Sequence, residues 1–276
     1  MGTTEVERQK LVVIGARSNL THAIANHSNA TVISSSEMLN PDTSISVPKN
    51  LPVIVNAFQP ANHLSDLSDP VKYLDQSLGI LARTLEWAES SQCSRLIYTS
   101  SAVVYGDNAN CKEDDAVQIN GIHGALKVAA EQLVSSFAQQ FGIDFTIVRL
   151  FNLFGGEDRF SVIYRLEQAA RSSSPFRVIN AGESLRDFTH VTDAANLYLQ
   201  LITGGNPGII NIGRGRGVCV TELIDVLRSK EIDLELEQVT RDEVQACVAN
   251  TERLAQFADV ENFRDPLTYL SNQVQS

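Results

Sequence analysis

The segment NGIHGALKVAAEQL, residues 120–133, places His123 one helical turn before Lys127. Residues at positions i and i+4 of a helix lie on the same face, so the two side chains would be neighbours. Imidazole can take or give a proton near neutral pH, and a nearby ammonium disfavours its charged form. The pair is therefore a candidate for proton transfer, with neutral His123 as a base. The alternative is an ordinary helix start in which His123 only fills space.

Short apolar segments that predict buried strands alternate with helical patterns in the first half of the chain. The predicted strands are LVVIG (11–15), ATVIS (30–34), PVIVNAF (52–58), RLIYTSS (95–101) and FTIVRLF (145–151). Helical periodicity marks residues 74–91 and 123–142, and the second helix should stop at Gly142. Strands that are apolar throughout indicate a parallel sheet covered on both faces. We therefore predict an α/β fold with a doubly wound, Rossmann-like parallel sheet, whose ligands bind beyond the C-terminal strand ends.

The alternation loosens after about residue 153, and this sets the predicted domains. Residues 1–152 should form a dinucleotide-binding, Rossmann-like domain. Residues 153–276 should form mostly a smaller, interleaved C-terminal lobe for the substrate, with 176–200 returning to the sheet domain.

Composition excludes several classes of function. The net charge of -11 argues against a nucleic-acid surface, which needs clustered Lys and Arg. No apolar run approaches the roughly 18 residues that a membrane helix requires, and the N-terminus MGTTEVERQK lacks a signal-peptide core. The cysteines are scattered without a CxxC motif, so we predict no metal site and a reduced, cytoplasmic protein. They are Cys93, Cys111, Cys219 and Cys247.

The first predicted strand runs into GARSNLTHAIAN, where a dinucleotide fold carries glycines so that backbone N–H groups can approach a pyrophosphate. Gly15 is present, but Ser18 and Thr21 stand at the other glycine positions. The second strand ends in SSSE (34–37), without an acid directly at its end to hold an adenosine ribose. Arg17 and these serines instead favour the 2′-phosphate of NADP. The alternative is a strand-turn-helix that binds no nucleotide.

Several stretches, in this order and spacing, resemble the extended short-chain dehydrogenase/reductase family, in its NAD-dependent epimerase/dehydratase group that acts on nucleotide sugars. They are RLIYTSSAVVYGD (95–107), HGALKVAAEQL (123–133), VRLFNLFGG (148–156), SLRDFTHVTDAANLYL (184–199) and, similar in kind, INIGRGRGVCVTELIDVL (210–227). The resemblance covers most of the chain, from roughly residue 10 to 258.

The resemblance implies a catalytic set of Ser101, Lys127 and His123, where His123 stands at the position of the family's tyrosine. In the family, the lysine charge and the cofactor ribose lower the phenol pKa, and the phenol moves a proton while hydride moves to or from the nicotinamide. Imidazole is shorter than phenol, so a substrate oxygen placed for tyrosine would be out of reach. Tyr105 is a second candidate acid, although its place resembles a structural residue.

The resemblance also implies contacts to NAD or NADP. These are Gly15, Arg17, Ser18, Asn19, Leu20, Ser35, Ala57, Gln76, Lys127 and Phe151. Gln76 stands where the family usually has an asparagine, so its amide is one methylene longer.

Contacts to a nucleotide-sugar substrate follow in the same way. They are Ser101, Asn152, Arg186, Arg241 and Glu243. Arginine suits a diphosphate because its fixed fork of donors binds phosphate oxygens in pairs. The alternatives are that Arg186 pairs with Asp187 or Asp193, and that Arg241 is a solvated surface charge.

The resulting hypothesis is an NAD(P)-dependent epimerase, dehydratase or ketoreductase that acts on a nucleotide-linked sugar. One alternative is a catalytically degenerate family member that acts as a nucleotide-sugar binding or regulatory protein. This alternative arises because the cofactor-side residues and the residue at the tyrosine position differ from the family's pattern. Another is base-mediated epimerisation beside a ketone that is already present. The family often dimerises through helices that would here be 74–91 and 123–142. For such a homodimer, apolar surface would come from residues that could equally be core, namely Leu81, Leu85, Val128 and Phe137.

Overall fold

In the computed structural model, the described residues are 8–40, 45, 49–57, 71, 74–172 and 174–274. The strands are β1 (Lys10–Ile14), β2 (Asn29–Ile33), β3 (Pro52–Val55), β4 (Arg95–Ser101), β5 (Asn108–Cys111), β6 (Phe145–Leu150), β7 (Asn152–Phe154), β8 (Phe176–Ile179), β9 (Leu185–His190), β10 (Gly208–Ile212), β11 (Gly217–Val218), β12 (Leu236–Val239) and β13 (Ala246–Ala249). The α-helices are α1 (Asn19–Asn26), α2 (Ser35–Leu39), α3 (Ile80–Ser90), α4 (Gly121–Phe141), α5 (Val162–Ser172), α6 (Val191–Thr203), α7 (Val220–Arg228) and α8 (Pro266–Gln273). A π-helical segment, Asp75–Gly79, leads directly into α3.

The central sheet has the strand order β10–β6–β4–β3–β1–β2. β1 pairs in parallel with β2 and with β3, and β3 pairs in parallel with β4. The apolar side chains of β1, from Leu11 to Ile14, have no solvent exposure, as expected for a strand covered on both faces. The strand order reverses at β1, which is the doubly wound arrangement. The predicted α/β fold with a parallel, Rossmann-like sheet is confirmed.

Two compact units interleave along the chain. Unit 1 comprises Met1–Ser100, Gly121–Val148 and Ala195–Gly208, and unit 2 comprises Ser101–Asn120, Arg149–Ala194 and Ile209–Ser276. Within the segment 176–200, residues from Ala195 onward cluster with unit 1 and the earlier ones with unit 2. The predicted domain boundary at residue 152 stays a prediction, because contacts and not one cut in the chain define these units.

The helices of unit 1 bury one apolar face each. On α3, Leu81 and Leu85 are 2% and 5% exposed, so they belong to the core and supply no outer surface. Gly142 ends α4 as the sequence predicts, because its positive φ of 65° suits glycine. The N–H of Ile143 then donates to the carbonyl of Ala138 and closes the last turn.

Unit 2 is built on a sheet with the order β11–β9–β13–β5, in which β7 also pairs with β9. β8 and β12 form a separate parallel pair. Helices α5, α7 and α8 pack their apolar side chains around one cluster that includes Phe154, Leu166, Leu223 and Leu270.

Asp187 on β9 is the polar centre of unit 2. It has no solvent exposure, and its carboxylate accepts the backbone N–H groups of Arg214, Gly215 and Ala249 at 2.8, 2.8 and 3.2 Å. A Cβ on Gly213 would lie 2.7 Å from this carboxylate, so the loop after β10 can approach it only as glycine. Asp187 therefore ties β9 to this loop and to β13, and it keeps the register of the strand that carries Arg186.

Candidate functional site

The turn between β1 and α1 is as tight as a dinucleotide-binding turn requires. Gly15 has a φ of +115°, and a Cβ at this position would lie 2.5 Å from the carbonyl oxygen of Asn56. Only glycine allows the end of β1 to approach the end of β3 this closely. Gly15 is therefore needed for the close approach of the two strand ends, and its contact with a cofactor stays a prediction.

The two missing glycines are replaced by a hydrogen-bonded group of side chains. The Asn56 amide donates to the hydroxyls of Ser18 and Thr21, both at 2.9 Å, and Thr21 donates to the Gly15 carbonyl at 2.7 Å. Ser18 occupies the N-cap position of α1, but its hydroxyl makes no capping hydrogen bond. The backbone N–H groups and the dipole at the start of a helix favour a nearby anion, so the start of α1 suits a phosphate. The sequence analysis did not identify Asn56. Its partners Ser18 and Thr21 lie 38 and 35 positions earlier in the chain, and no local pattern links them to it.

The end of β2 carries a local capping arrangement that the sequence analysis did not predict. Ser34 and Glu37 form a capping box, in which the Ser34 hydroxyl accepts the Glu37 N–H and the Glu37 carboxylate accepts the Ser34 N–H at 2.7 Å. These hydrogen bonds lower the pKa of Glu37. The S-x-x-E spacing carries this signal in the sequence alone. Arg17 is exposed and Ser35 partly exposed, so both stay available to a ligand.

Four further predicted cofactor residues lie in unit 1. Leu20 and Ala57 are buried, at 1% and 7% exposure, whereas Asn19 at the start of α1 is partly exposed. Gln76 lies in the π-helical segment and is also partly exposed. Short π-helical insertions are frequent at functional sites because they shift the side chains of one turn.

His123 and Lys127 lie one turn apart near the start of α4, as predicted. Burial and, to a smaller extent, the charge of Lys127 lower the pKa of His123 to about 4. Burial lowers the pKa of Lys127 to about 7, against the opposing influence of Glu131. The Lys127 ammonium donates to the Thr99 carbonyl at 2.8 Å and lies 5.2 Å from the centre of the Tyr98 ring. The arrangement thus holds a neutral imidazole beside a cation, and a neutral imidazole can accept a proton.

Ser101 is the last residue of β4, and in unit 2 it begins the short 3₁₀ turn Ala102–Tyr105. Its hydroxyl accepts the N–H of Val103 at 3.3 Å. Tyr105 is 1% exposed, donates to Asn211 at 2.7 Å and accepts from Arg149 at 3.1 Å. Burial raises the pKa of Tyr105. Tyr105 is therefore a structural residue, which disfavours it as a substitute acid.

Phe151 and Asn152 follow β6 in unit 2. Phe151 is 3% exposed and stacks on Tyr105 with ring centres 6.3 Å apart. Asn152 is exposed, and its amide donates to the carbonyl of Asp187 at 3.1 Å. Asn152 is thus oriented by β9 and presents the rest of its amide to solvent.

The structure brings Arg186 and Glu243 together. The Arg186 guanidinium donates to Glu243 at 3.2 Å and to the Val244 carbonyl at 2.6 Å. The other oxygen of Glu243 accepts from Ser184 at 2.8 Å and from Asn180 at 3.1 Å. The Glu243 carboxylate therefore orients Arg186, and Ser184 and Asn180 in turn orient Glu243.

Asp187 and Asp193, the alternative partners of Arg186, bind other groups. Arg241 makes contacts of a different kind from those of Arg186. Asp187 accepts backbone N–H groups, and Asp193 pairs with Arg264. Arg241 is exposed, and its backbone, not its guanidinium, is fixed by the side chain of Asn180. Arg241 is therefore placed near the Arg186–Glu243 pair through Asn180.

Across the described part of the chain, no group of three or more His, Cys, Asp or Glu side chains could hold a metal ion. Within the same residues, no helix is both long and apolar enough to span a bilayer.

Comparison with known proteins gives consistent matches. The model of the NAD dependent epimerase/dehydratase family matches residues 5–213. The UDP-glucose 4-epimerase of Lacticaseibacillus casei is 25% identical over 185 residues, which are 59% of this chain and 56% of that protein. Among the first four curated relatives, the match spans between 52% and 69% of the relative's own length.

Solved structures match over nearly the whole chain and show the same fold. The UDP-glucuronic acid 4-epimerase of Bacillus cereus, in complex with UDP-glucuronic acid and NAD, has a TM-score of 0.82 at 18% identity and covers 97% of this chain and 98% of its own. The UDP-glucose 4-epimerase of Thermus thermophilus, in complex with NAD, has a TM-score of 0.81 at 16% identity and covers 97% and 99%.

The contact between Gly15 and Asn56 generates the first prediction. Gly15→Ala should lower the free energy of unfolding by about 2 kcal/mol or more, because it combines an unfavourable φ with a backbone clash. Urea denaturation measures the change. Gly205→Ala is the matched control, since a Cβ there meets no atom within 4 Å, and it should change stability by less than about 1 kcal/mol. Equal stability of both variants would contradict the close approach of β1 and β3.

Proposed function

The chain belongs to the NAD-dependent epimerase/dehydratase family, and from this we propose that it binds NAD or NADP in unit 1 and a nucleotide sugar in unit 2. The reaction we propose is epimerisation, dehydration or ketoreduction of the sugar. The observation that carries the proposal is the position of His123 one turn before the buried Lys127 on α4.

The residues of unit 1 fit a dinucleotide. Gly15 leaves room at the end of β1 that any larger residue would fill, and the start of α1 is not capped by Ser18. Gln76 and Lys127 would contribute polar contacts, and Arg17 with Ser35 would face a 2′-phosphate if the cofactor is NADP. When bound, the nicotinamide would supply hydride transfer.

His123 would act as the proton acceptor when the sugar is oxidised. Its imidazole would take the proton of the sugar hydroxyl, and a bound oxidised nicotinamide would supply the hydride acceptor that this oxidation requires. Lys127 disfavours the resulting imidazolium, so the proton is readily passed on. The resemblance adds Ser101 as a hydrogen-bond donor to the reacting oxygen. His123 would be a poorer acid, because a pKa of about 4 leaves little of it protonated at neutral pH.

The nucleotide part of the substrate would be bound in unit 2. Arg186 is held by Glu243 and the Val244 carbonyl, which preserves its orientation before a ligand arrives. A guanidinium with fixed orientation can bind two phosphate oxygens at once. Asn152 and Arg241 would add contacts to the diphosphate, and Glu243 would also contact the ribose.

We also propose that the protein is a cytoplasmic homodimer. On α4, three apolar residues spaced one turn apart form an outer stripe, namely Leu133, Phe137 and Phe141. Leu133 and Phe141 are each 45% exposed, and the rings of Phe137 and Phe141 are 4.6 Å apart. This stripe replaces Leu81 and Leu85 as the surface for a second copy, and Val128 lies partly exposed on the same helix. The four cysteines are free, which suits a reducing compartment.

The central test combines cofactor binding with turnover. Calorimetry should show binding of NAD(H) or NADP(H) at micromolar or lower Kd, and UDP-glucose and UDP-glucuronic acid serve as first substrates in a turnover assay. His123→Phe should reduce turnover at least about 100-fold with cofactor affinity nearly unchanged, because it removes the proton acceptor and keeps a ring. His27→Phe, at the exposed end of α1, is the control and should stay within about twofold.

Two results would contradict this function. If folded protein binds neither dinucleotide but binds UDP-sugars, the chain is a nucleotide-sugar binding or regulatory protein. If turnover is found and His123→Phe leaves it intact, His123 is not part of the mechanism.

Arg186→Lys should weaken binding of UDP by about tenfold or more, since lysine cannot reproduce a two-pronged contact with phosphate. Isothermal titration measures the Kd. The matched control is Arg177→Lys, which alters an exposed arginine whose partner is Glu237 on the neighbouring strand. An equal affinity of Arg186→Lys and the unaltered chain would remove Arg186 from the ligand site.

Light scattering at micromolar concentration should give twice the chain mass, and Leu133→Asp should give a monomer because it places a charge in the apolar stripe. Phe160→Asp is the control, since Phe160 is an exposed apolar residue that belongs to unit 2 and not to the stripe. A monomeric unaltered chain would rule out the dimer.

A further inference from the structure

A second charged residue is buried with Lys127. Glu131 follows one turn later on α4, so the two side chains share a helix face. Lys127 is 5% exposed and Glu131 is 2% exposed. A buried carboxylate is costly unless it is paired or accepts hydrogen bonds, so its presence here demands a physical reason.

Both residues contact consecutive positions of β4. The Lys127 ammonium donates to the carbonyl of Thr99, and the Glu131 carboxylate accepts a hydrogen bond from the hydroxyl of Ser100. The side-chain hydroxyl of Thr99 hydrogen-bonds to the hydroxyl of Tyr198 on α6 at 2.8 Å. The end of β4 therefore makes polar contacts with two helices. Its contacts with α4 involve the Lys127 ammonium and the Glu131 carboxylate.

Among the groups around Lys127, Glu131 is the one whose charge favours the ammonium. It opposes the effect of burial on the pKa of Lys127. His123 on the same helix is neutral near pH 7, and burial raises the pKa values of Tyr98 on β4 and Tyr198 on α6, so all three stay uncharged. The charged side chains of the π-helical segment and of α3 are exposed, namely Asp75, Arg83, Glu86 and Glu89.

We propose that Glu131 is a positioning residue that keeps Lys127 charged and fixed against β4, and that Ser100 holds the Glu131 carboxylate in place for this purpose. The inference rests on the proposed function, in which the charge of Lys127 contributes to cofactor binding and disfavours a charged His123. Glu131 acts through Lys127 and does not touch the substrate.

The consequence of removing the Glu131 charge follows from electrostatics. Glu131→Gln preserves the shape of the side chain and a hydrogen bond with Ser100, but it removes the anion. The pKa of Lys127 should then fall by about one unit, because a charge partner one turn away is lost. At neutral pH the charged fraction of Lys127 should then be smaller in the variant than in the unaltered chain.

The first experiment is a pH profile of turnover between pH 5.5 and 9 for the full chain. Turnover of the unaltered chain should decline as Lys127 loses its proton above about pH 7. In Glu131→Gln the decline should begin about one pH unit lower, with turnover at pH 5.5 within about threefold. Glu131→Asp keeps the charge and should restore most of the original midpoint. Ser100→Ala should reduce turnover at every pH with a smaller shift, because the carboxylate is retained.

The second experiment does not depend on activity. The pKa of Lys127 is lower in the folded chain than its ordinary value of 10.5, so the unfolded chain binds more protons between these values and stability rises with pH across this window. Because Glu131→Gln lowers the pKa of Lys127 in the folded chain further, the pH range over which stability rises extends to lower pH. The deficit in Tm of this variant should therefore be largest near pH 5.5 and should shrink toward pH 9.

The outcomes separate the two proposals. A pH-dependent Tm deficit without turnover of any tested sugar would support the coupling of Glu131 to Lys127 and contradict the enzymatic function. Turnover with an unshifted profile in Glu131→Gln, together with a Tm deficit that is the same at every pH, would overturn the role of Glu131 and leave the function intact.

Discussion

The buried ammonium of Lys127 is the interaction on which the start of α4 depends. Moving a charge out of water is unfavourable, and the structure compensates it with the Thr99 carbonyl, the face of the Tyr98 ring and the charge of Glu131. These partners fix the position of α4 along the direction of β4. His123 lies one turn earlier on the same helix, so its position is fixed as well.

The same burial decides the chemistry available to His123. In water an imidazole is partly protonated near neutral pH, but here burial and Lys127 keep it neutral. In the proposed mechanism His123 would therefore act from its neutral form, and the lowered pKa makes it a weaker base than an imidazole in water. The parallel sheet supplies the low-dielectric surroundings, because β4 is buried along nearly its whole length and is contacted by α4 and α6.

Unit 2 uses fixed polar contacts to hold its side chains in place. Asp187 binds three backbone N–H groups and sets the register of β9, and the adjacent Arg186 is oriented by Glu243. Glu243 is itself fixed by Ser184 and Asn180. Because these contacts exist before any ligand arrives, little side-chain freedom remains to be lost when an anion binds. The turn after β1 follows the same logic, with Asn56 organising Ser18 and Thr21.

The sequence by itself determined the elements of the fold, since apolar runs, helical periodicity and the stop at Gly142 are local signals that specify strands and helices. It also determined that His123 and Lys127 are neighbours, because four residues on a helix impose that distance. Tertiary structure alone decided the contacts between distant segments: Asn56 with Ser18, Ser100 with Glu131, and Arg186 with Glu243 instead of an aspartate nearer in sequence. It also decided that Leu81 and Leu85 are core, because periodicity marks an apolar face but not what covers it. The physical reason is that these partners meet only after the strands have paired, so their geometry and burial cannot be encoded in any short stretch of the chain.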